Sequence, residues 1–320
     1  MQEGLITPAP GAVSCLSGGP GPQGRGLARA RTTTTDLVYT VVIPAYNEGL
    51  RIGETLDRVT AYLRARGAAH EVLVVDDGST DDTAQVVSRW AEKSPAVRLV
   101  RLDRNRGKGA ALREGVARSA GRLVVVTDAD MSTPIEDLER LEQALEQGCA
   151  AAFGSRAAAG AEVQERQSLA RRILGRAGNL WIRALAAPGF LDTQCGFKLL
   201  RGPAARRLFG LCREEGFALD IELICLARRV LGERVAEVGV RWAHRDGSKV
   251  RWQHYALTFA AVPRIALAAE RLRIALRRPA LPAGGPAFTP PRRLAIGPAR
   301  SGSPLFAEQL SSVEGAAELR

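Results

Sequence analysis

Histidine, cysteine and aromatic residues are scarce in this sequence. Its 320 residues include three histidines, five cysteines and only 5% aromatic residues. With so few histidines and no Cys-x-x-Cys pair, a zinc site is not expected. An odd number of scattered cysteines in a chain of this length also indicates reduced thiols rather than a framework of disulfides.

Long uninterrupted apolar stretches are also lacking. A membrane-spanning helix needs roughly 20 consecutive apolar residues, and the best candidate, 256–269, is shorter and contains Pro263 and Arg264. The first ten residues have neither a basic start nor an apolar core, unlike a secretory signal. We therefore expect a cytoplasmic protein that is peripheral on the cytoplasmic face of a membrane and has no transmembrane helix.

Positive charge is in excess, with 45 Lys and Arg against 34 Asp and Glu and a formal net charge of +11. Such an excess favours an anionic partner, whether a nucleic acid, a phospholipid surface or a phosphorylated substrate. The few aromatic residues and the lack of any nucleic-acid-binding motif argue against a nucleic acid.

Runs rich in β-branched residues alternate with helical patterns through the middle of the chain. The first runs of this kind are 37–43, 71–75, 97–102 and 123–126. The alternation is typical of βαβ units, and it predicts an α/β fold with a mostly parallel sheet flanked by helices. Segments 1–36 and 279–320 are rich in Gly, Pro and Ala and are predicted to be disordered tails.

The apolar run 123–126 ends in two carboxylates one residue apart, Asp128 and Asp130. A parallel sheet presents the carboxyl ends of its strands to ligands, and two neighbouring carboxylates there need a divalent cation or a basic side chain to neutralise them. Oxygen ligands favour Mg²⁺ or Mn²⁺ shared with substrate phosphates. The alternative is a turn in which one Asp caps the next helix.

Three later segments also combine charge with apolar surroundings. The basic, glycine-containing turn 103–109 lets backbone approach a ligand, although it lacks the Walker pattern. Segment 191–199 would form a site if its Asp-Gln-Lys cluster is buried, and a short edge strand would also explain it. Asp220 and Glu222 lie near a predicted helix N-terminus, where the helix dipole alone favours acids.

Two basic amphipathic stretches, 164–187 and 253–278, follow the first half of the chain. Arginines alternate in both with leucine, isoleucine and aromatic residues. This pattern favours a helix on a membrane surface. A helix docked on the sheet with its arginines in water explains the pattern equally well.

Taken together, three motifs resemble those of the family 2 glycosyltransferases, which have the GT-A fold. They are Val41-Val42-Ile43-Pro44-Ala45-Tyr46-Asn47-Glu48, Val75-Asp76-Asp77-Gly78-Ser79-Thr80-Asp81-Asp82-Thr83 and Thr127-Asp128-Ala129-Asp130. Three further motifs are similar to those of the dolichyl-phosphate β-glucosyltransferases and, more distantly, the dolichyl-phosphate mannose synthases. These are Asp192-Thr193-Gln194-Cys195-Gly196-Phe197-Lys198, Phe217-Ala218-Leu219-Asp220-Ile221-Glu222 and Gly247-Ser248-Lys249.

The resemblance implies a GT-A catalytic domain over 37–252 and a membrane-surface helical segment over 253–278. It implies an inverting transfer of glucose from UDP-glucose to a dolichyl or polyprenyl phosphate, with Mg²⁺ or Mn²⁺ as cofactor. A mannose synthase, or a family 2 transferase with a saccharide acceptor, is the alternative. A basic nucleic-acid-binding protein is the alternative outside enzymes, and the oligomeric state stays open.

The resemblance also implies roles for individual residues. The nucleotide-sugar would be bound by Pro44, Tyr46, Glu48, Asp76, Asp77, Lys108 and Asp128, and the metal by Asp128, Asp130 and Ser132. The position of Ser132 often carries Gln in the mannose synthases, so this departure favours glucose. The catalytic residues would be Asp128, Asp130, Asp220, Arg156 and Lys198, with Arg156 and Lys198 on phosphate oxygens and Asp220 placing the acceptor. The acceptor-binding residues would be Arg171, Arg172, Gln194, Ser248 and Lys249.

Overall fold

The computed structural model describes residues 14–16, 37–164, 178–245 and 252–277. In chain order its strands are β1 (Ser14–Leu16), β2 (Tyr39–Ala45), β3 (His70–Asp76), β4 (Val97–Arg101), β5 (Leu123–Val126), β6 (Ala151–Ser155), β7 (Glu162–Gln164), β8 (Lys198–Arg201), β9 (Val235–Gly239) and β10 (Arg241–Ala243). The helices are α1 (Gly49–Ala65), α2 (Thr83–Lys93), α3 (Lys108–Ala117), α4 (Leu138–Glu146), α5 (178–185), α6 (Gly202–Leu211), α7 (Leu219–Cys225) and α8 (Trp252–Arg277).

Eight of the described strands form one mixed sheet in the order β1-β9-β6-β8-β5-β2-β3-β4. Strands β5, β2, β3 and β4 run parallel to one another, as the βαβ pattern predicts. Alternate residues of each strand point to opposite faces of a sheet. Accordingly Val42 packs in one apolar core with α3, α6, α7 and α8, whereas Val41 packs in the other with α1, α2 and α4. The predicted α/β fold is confirmed.

Strand β8 lies inside the sheet, antiparallel to both of its neighbours, β5 and β6. Its first residue, Lys198, is opposite Val126 on one side and Phe153 on the other. The edge-strand interpretation of this segment is therefore wrong. Because β8 runs against β5, the segment that leads into it passes the carboxyl end of β5, where Asp128 lies.

Two expectations from the sequence need correction. Ser14–Leu16, within the predicted disordered tail 1–36, form β1 and pair with β9, because the outer edge of β9 offers unpaired backbone groups. Cys149 is disulfide-bonded, whereas Cys195, Cys212 and Cys225 are free thiols as expected. Spacing along the chain does not show which thiols the fold brings together. The other residues of 1–36, and 279–320, lie outside the described residues, and disorder there stays a prediction.

Helix α8 confirms that the stretch beginning near residue 253 is helical, and it shows how the helix is attached. Ala261, Val262, Ile265 and Ala269 are buried in the same core as α7. The opposite side of the helix carries exposed residues. Among the described residues, no helix is both long enough and apolar enough to cross a membrane.

Candidate active site

The candidate site is centred on Asp128, two residues beyond β5. Its Oδ1 lies 2.6 Å from Nζ of Lys108, the first residue of α3. Its Oδ2 lies against Gly196, where an added Cβ would stand only 1.9 Å from that oxygen. Lys108 at the start of α3 and Gly196 in the segment before β8 thus lie on two sides of the Asp128 carboxylate. Glycine is the residue that leaves room for this carboxylate at position 196.

Lys108 neutralises Asp128 and keeps it ionised. Burial by itself raises the pKa of Asp128, but the ammonium of Lys108 and the smaller contributions of Lys198 and Arg156 together outweigh this, and the pKa falls below its ordinary value. Burial lowers the pKa of Lys108, whereas the carboxylates of Asp128, Asp220 and Asp130 raise it above its ordinary value. The sequence predicted both residues as ligand-binding groups, without indicating that they pair.

A second, more deeply buried ion pair joins Lys198 and Asp220. Nζ of Lys198 lies 3.0 Å from Oδ1 of Asp220 and donates a hydrogen bond to the Cys195 carbonyl oxygen at 2.6 Å. Only 1% of the Lys198 side chain is exposed. The Asp220 oxygen is close enough for the ion pair but not aligned for a hydrogen bond, and it has no hydrogen-bond donor among the described residues. The structure thus places Lys198 and Asp220 behind Asp128, in the same cluster of charges.

Asp130 and Ser132 complete the predicted metal set. Oδ1 of Asp130 accepts a hydrogen bond from the Ser132 amide at 2.9 Å, and the Asp130 side chain is half-buried. Within the described ranges, no group of three or more His, Cys, Asp or Glu side chains could hold a metal ion. Two carboxylates on one turn still suit Mg²⁺ or Mn²⁺, since such ions take one or two protein carboxylates plus water and substrate phosphates. The donor set therefore fits the predicted cation.

Five of the residues predicted to bind the nucleotide lie at or just beyond the carboxyl ends of β2 and β3, namely Pro44, Tyr46, Glu48, Asp76 and Asp77. Asp76 is fully buried and accepts a hydrogen bond from the Ser79 amide at 2.9 Å. Asp77 accepts hydrogen bonds from the amides of Arg106 and Gly107, at 2.7 and 2.8 Å, and so holds the basic turn that precedes Lys108. Pro44 and Tyr46 are half-buried at the end of β2. Glu48 precedes α1 and accepts a hydrogen bond from Arg51 Nε at 2.8 Å.

Arg156, just beyond β6, is held by Asp192 rather than standing alone. Its Nε and Nη2 lie 2.7 and 3.0 Å from the two Asp192 carboxylate oxygens. Gln194, predicted to contact the acceptor, donates its backbone amide to the same carboxylate at 3.1 Å, and its side chain is half-buried. The sequence indicated that Asp192 belongs to a polar cluster, but it did not indicate that Asp192 pairs with Arg156.

Four predicted acceptor-binding residues, Arg171, Arg172, Ser248 and Lys249, lie outside the described residues. Strand β10, which is described, is attached to the site. The Ala243 amide in β10 donates a hydrogen bond to the Ser132 carbonyl oxygen at 2.9 Å.

Two acids in the second half have roles that the sequence did not indicate. Glu222 accepts hydrogen bonds from the Arg213 and Glu214 amides and so holds the segment before α7. Glu215 pairs with Arg106 at 2.6 Å and Arg113 at 3.1 Å, which fastens that segment to the turn before α3. In the sequence, an acid near the start of a helix is already explained by the helix dipole. No sequence pattern would have identified the residues that Glu222 and Glu215 contact.

Comparisons with known proteins agree with this arrangement. The profile described as glycosyl transferase family 2 matches residues 40–208. The dolichyl-phosphate β-glucosyltransferase of Mus musculus is 40% identical over 223 residues, which are 66% of this chain and 68% of that protein. The protein of the same name from Dictyostelium discoideum is 34% identical over 236 residues, covering 70% and 72%.

A solved structure shares the fold. Glucosyl-3-phosphoglycerate synthase from Mycobacterium tuberculosis, in complex with Mn²⁺ and UDP-glucose, has a TM-score of 0.53 at 22% identity, covering 72% of this chain and 78% of that chain. The fold and the site thus define a hexosyltransferase with the GT-A fold, and the chain belongs to glycosyl transferase family 2. The resemblance predicted from the motifs is confirmed, including the similarity to proteins named dolichyl-phosphate β-glucosyltransferase.

Gly196→Ala tests the close contact at Asp128. The new Cβ would stand 1.9 Å from Asp128 Oδ2, so the flexible carboxylate must turn aside. We expect glycosyl transfer to fall by roughly tenfold or more, while the thermal unfolding midpoint stays near that of the wild type. Gly210→Ala is the matched control, since a Cβ there meets nothing within 4 Å. Wild-type transfer by Gly196→Ala would show that the position of this carboxylate is unimportant.

Proposed function

We propose that this protein transfers glucose from UDP-glucose to a dolichyl or polyprenyl phosphate with inversion at the anomeric carbon. The observation that carries the proposal is the 40% identity to a dolichyl-phosphate β-glucosyltransferase, together with the cluster of Lys108, Asp128 and Arg156 beyond strands β5 and β6. Two cations beside a carboxylate turn suit a reaction whose leaving group and nucleophile both carry phosphate.

In this proposal the donor lies along the carboxyl ends of β2, β3 and β5. Pro44, Tyr46 and Glu48 form the floor of the uridine pocket, and Asp76 or Asp77 accepts a hydrogen bond from the base or ribose. The Asp77 carboxylate accepts hydrogen bonds from the Arg106 and Gly107 amides of the turn before α3. Lys108, which follows this turn, would lie near the donor diphosphate. Nucleotide binding and the position of Lys108 then depend on the same turn.

Asp128, Asp130 and Ser132 would hold Mg²⁺ or Mn²⁺ in this site. When bound, such an ion neutralises charge on the departing diphosphate. The similar fold of a synthase solved with Mn²⁺ and UDP-glucose supports the assignment. Lys108 keeps Asp128 ionised, and the Ser132 amide orients Asp130 through Oδ1. Glucose is favoured over mannose because Ser132 stands at the position that often carries Gln in the mannose synthases, which this chain resembles more distantly.

The nucleophile in this proposal is a phosphate oxygen of the lipid. A phosphate monoester has its second pKa near about 6 and is largely dianionic at pH 7, so no strong general base is required. Arg156 and Lys198 stabilise phosphate charge, and Arg171, Arg172, Gln194, Ser248 and Lys249 contact the acceptor. Asp220, which is buried against Lys198, assists in placing the acceptor through that lysine.

A panel of donors and acceptors tests the proposed reaction. We expect UDP release from UDP-glucose only when a polyprenyl phosphate is present, and little turnover of GDP-mannose or UDP-N-acetylglucosamine. A saccharide acceptor serves as the comparison. Absence of turnover with every polyprenyl phosphate would refute the proposal. Salt-sensitive binding of RNA or DNA without affinity for any nucleotide-sugar would favour a nucleic-acid-binding protein instead.

Asp130→Asn tests the metal assignment. The amide keeps the shape of the side chain but loses the negative charge that a hard cation prefers. We expect metal-dependent transfer to fall by about 100-fold or more, with unfolding still cooperative. Asp57→Asn, at an exposed position in α1, is the control and should keep wild-type activity. Full activity in Asp130→Asn would contradict the assignment.

We also propose that α5 and α8 rest on an anionic membrane surface, where a lipid acceptor is found. Leu257 and Leu267 of α8 are 69% and 61% exposed, and Leu180 and Trp181 of α5 are exposed as well. Exposed arginines, Arg264 among them, accompany these apolar side chains on α8. Two contributions hold such helices on a membrane surface: apolar side chains enter the boundary between headgroups and acyl chains, and arginines bind the anionic headgroups.

Vesicle binding tests this surface. Leu267→Glu places an acid among the exposed residues of α8 and should weaken sedimentation with phosphatidylserine vesicles severalfold, because an apolar contact is lost and the added negative charge is repelled by the anionic headgroups. Leu50→Glu in α1 is the control, since Leu50 is fully exposed on another helix. Equal binding by wild type and Leu267→Glu would remove α8 from the membrane contact.

A further inference from the structure

The guanidinium of Arg156 is fixed on two sides by residues from different elements. Asp192 binds it through two side-chain hydrogen bonds, of 2.7 and 3.0 Å, and also accepts the Arg156 backbone amide at 3.0 Å. On another side, the Arg156 guanidinium carbon lies 5.5 Å from the centre of the Trp242 ring. A bidentate carboxylate and an aromatic ring together restrict both the position and the plane of a guanidinium.

Each of these partners is itself anchored. Asp192 is 8% exposed, and the Glu237 carboxylate on β9 accepts its backbone amide at 2.7 Å and the Leu191 amide at 2.8 Å. Trp242 lies in β10, where the preceding residue, Arg241, donates its backbone amide to the buried Asp137 at 2.6 Å. Strand β9 and the residue that precedes α4 therefore hold the two partners independently.

The fixed guanidinium is not wholly buried. About a third of the Arg156 side chain is exposed, just beyond the end of β6. Burial raises the pKa of Asp192, but Arg156 outweighs it, so the pKa of Asp192 lies below its ordinary value and the carboxylate stays charged.

We infer that Asp192 and Trp242 are positioning residues that hold Arg156 as a preformed binding group for the phosphate of the lipid acceptor. This inference rests on the proposed function for the identity of the anion. Asp192 and Trp242 act through Arg156 and do not themselves contact the phosphate. Holding the guanidinium in advance removes the loss of side-chain entropy that a flexible arginine would suffer when the acceptor binds.

A double-mutant cycle on acceptor binding tests the inference. Farnesyl phosphate is the probe, titrated by calorimetry into the full-length protein with UDP and Mn²⁺ present. We expect Asp192→Asn and Arg156→Lys each to weaken its binding by roughly tenfold or more. Because Asp192 acts through Arg156, Asp192→Asn should cause little further loss in the Arg156→Lys protein. The affinity for UDP should stay unchanged in all three variants.

Trp242 supplies a second, milder comparison. Trp242→Phe keeps a ring under the guanidinium and should bind farnesyl phosphate nearly as wild type, whereas Trp242→Leu removes the ring and should bind it severalfold more weakly. A general loss of folding would lower the affinity for UDP as well, so the ratio of the two affinities separates positioning from stability.

Two results would overturn the inference: unchanged farnesyl phosphate affinity in Asp192→Asn, or losses that add fully in the double variant. The proposed function fails differently. A wild-type protein that transfers no glucose to polyprenyl phosphates, but loses farnesyl phosphate affinity in Asp192→Asn, would refute the reaction and leave the positioning role standing. A wild-type protein that transfers glucose to polyprenyl phosphates, but whose Asp192→Asn variant binds farnesyl phosphate undiminished, would support the reaction and refute the positioning role.

Discussion

The ion pair between Lys108 and Asp128 is the contact on which the site depends. Asp128 lies close to two further carboxylates, Asp130 and Asp220, and both raise the pKa of Lys108. Without a cation at this point, like charges at the end of β5 would repel one another and favour protonation. Lys108 therefore keeps Asp128 ionised at this end of the sheet before any substrate binds.

The turn that carries Lys108 also connects other parts of the fold. Lys108 begins α3, and the turn before it is held by Asp77 from β3 and by Glu215 from the segment before α7. The end of β3, where we propose that the uridine binds, and the segment before the helix that carries Asp220 are thus both attached to one turn. On the other side of Asp128, Gly196 leads into β8, and Arg156 is fixed by Asp192. Groups suited to the donor and to the acceptor phosphate consequently meet around one carboxylate.

Much of this could be predicted from local sequence, and the remainder depends on long-range contacts. Strands β2, β3 and β5, and the carboxylates after them, were predictable because period and composition are local properties. The position of β8 inside the sheet was not predictable, because the segment that leads into it is polar and short and also suited an edge strand. The pairs Lys108–Asp128 and Arg156–Asp192 join residues 20 and 36 positions apart, and no spacing rule identifies such partners. The glycine at 196 is explained only by the carboxylate that fills the space beside it.

The most direct measurement is anomalous diffraction from crystals of the protein grown with Mn²⁺ and UDP. We expect one manganese peak between the UDP diphosphate and the carboxylates of Asp128 and Asp130, with Lys108 close to the phosphates and the uracil beside Asp76 and Asp77. UDP bound with its diphosphate away from Asp128, or manganese bound elsewhere with these two carboxylates unliganded, would contradict the account of the site.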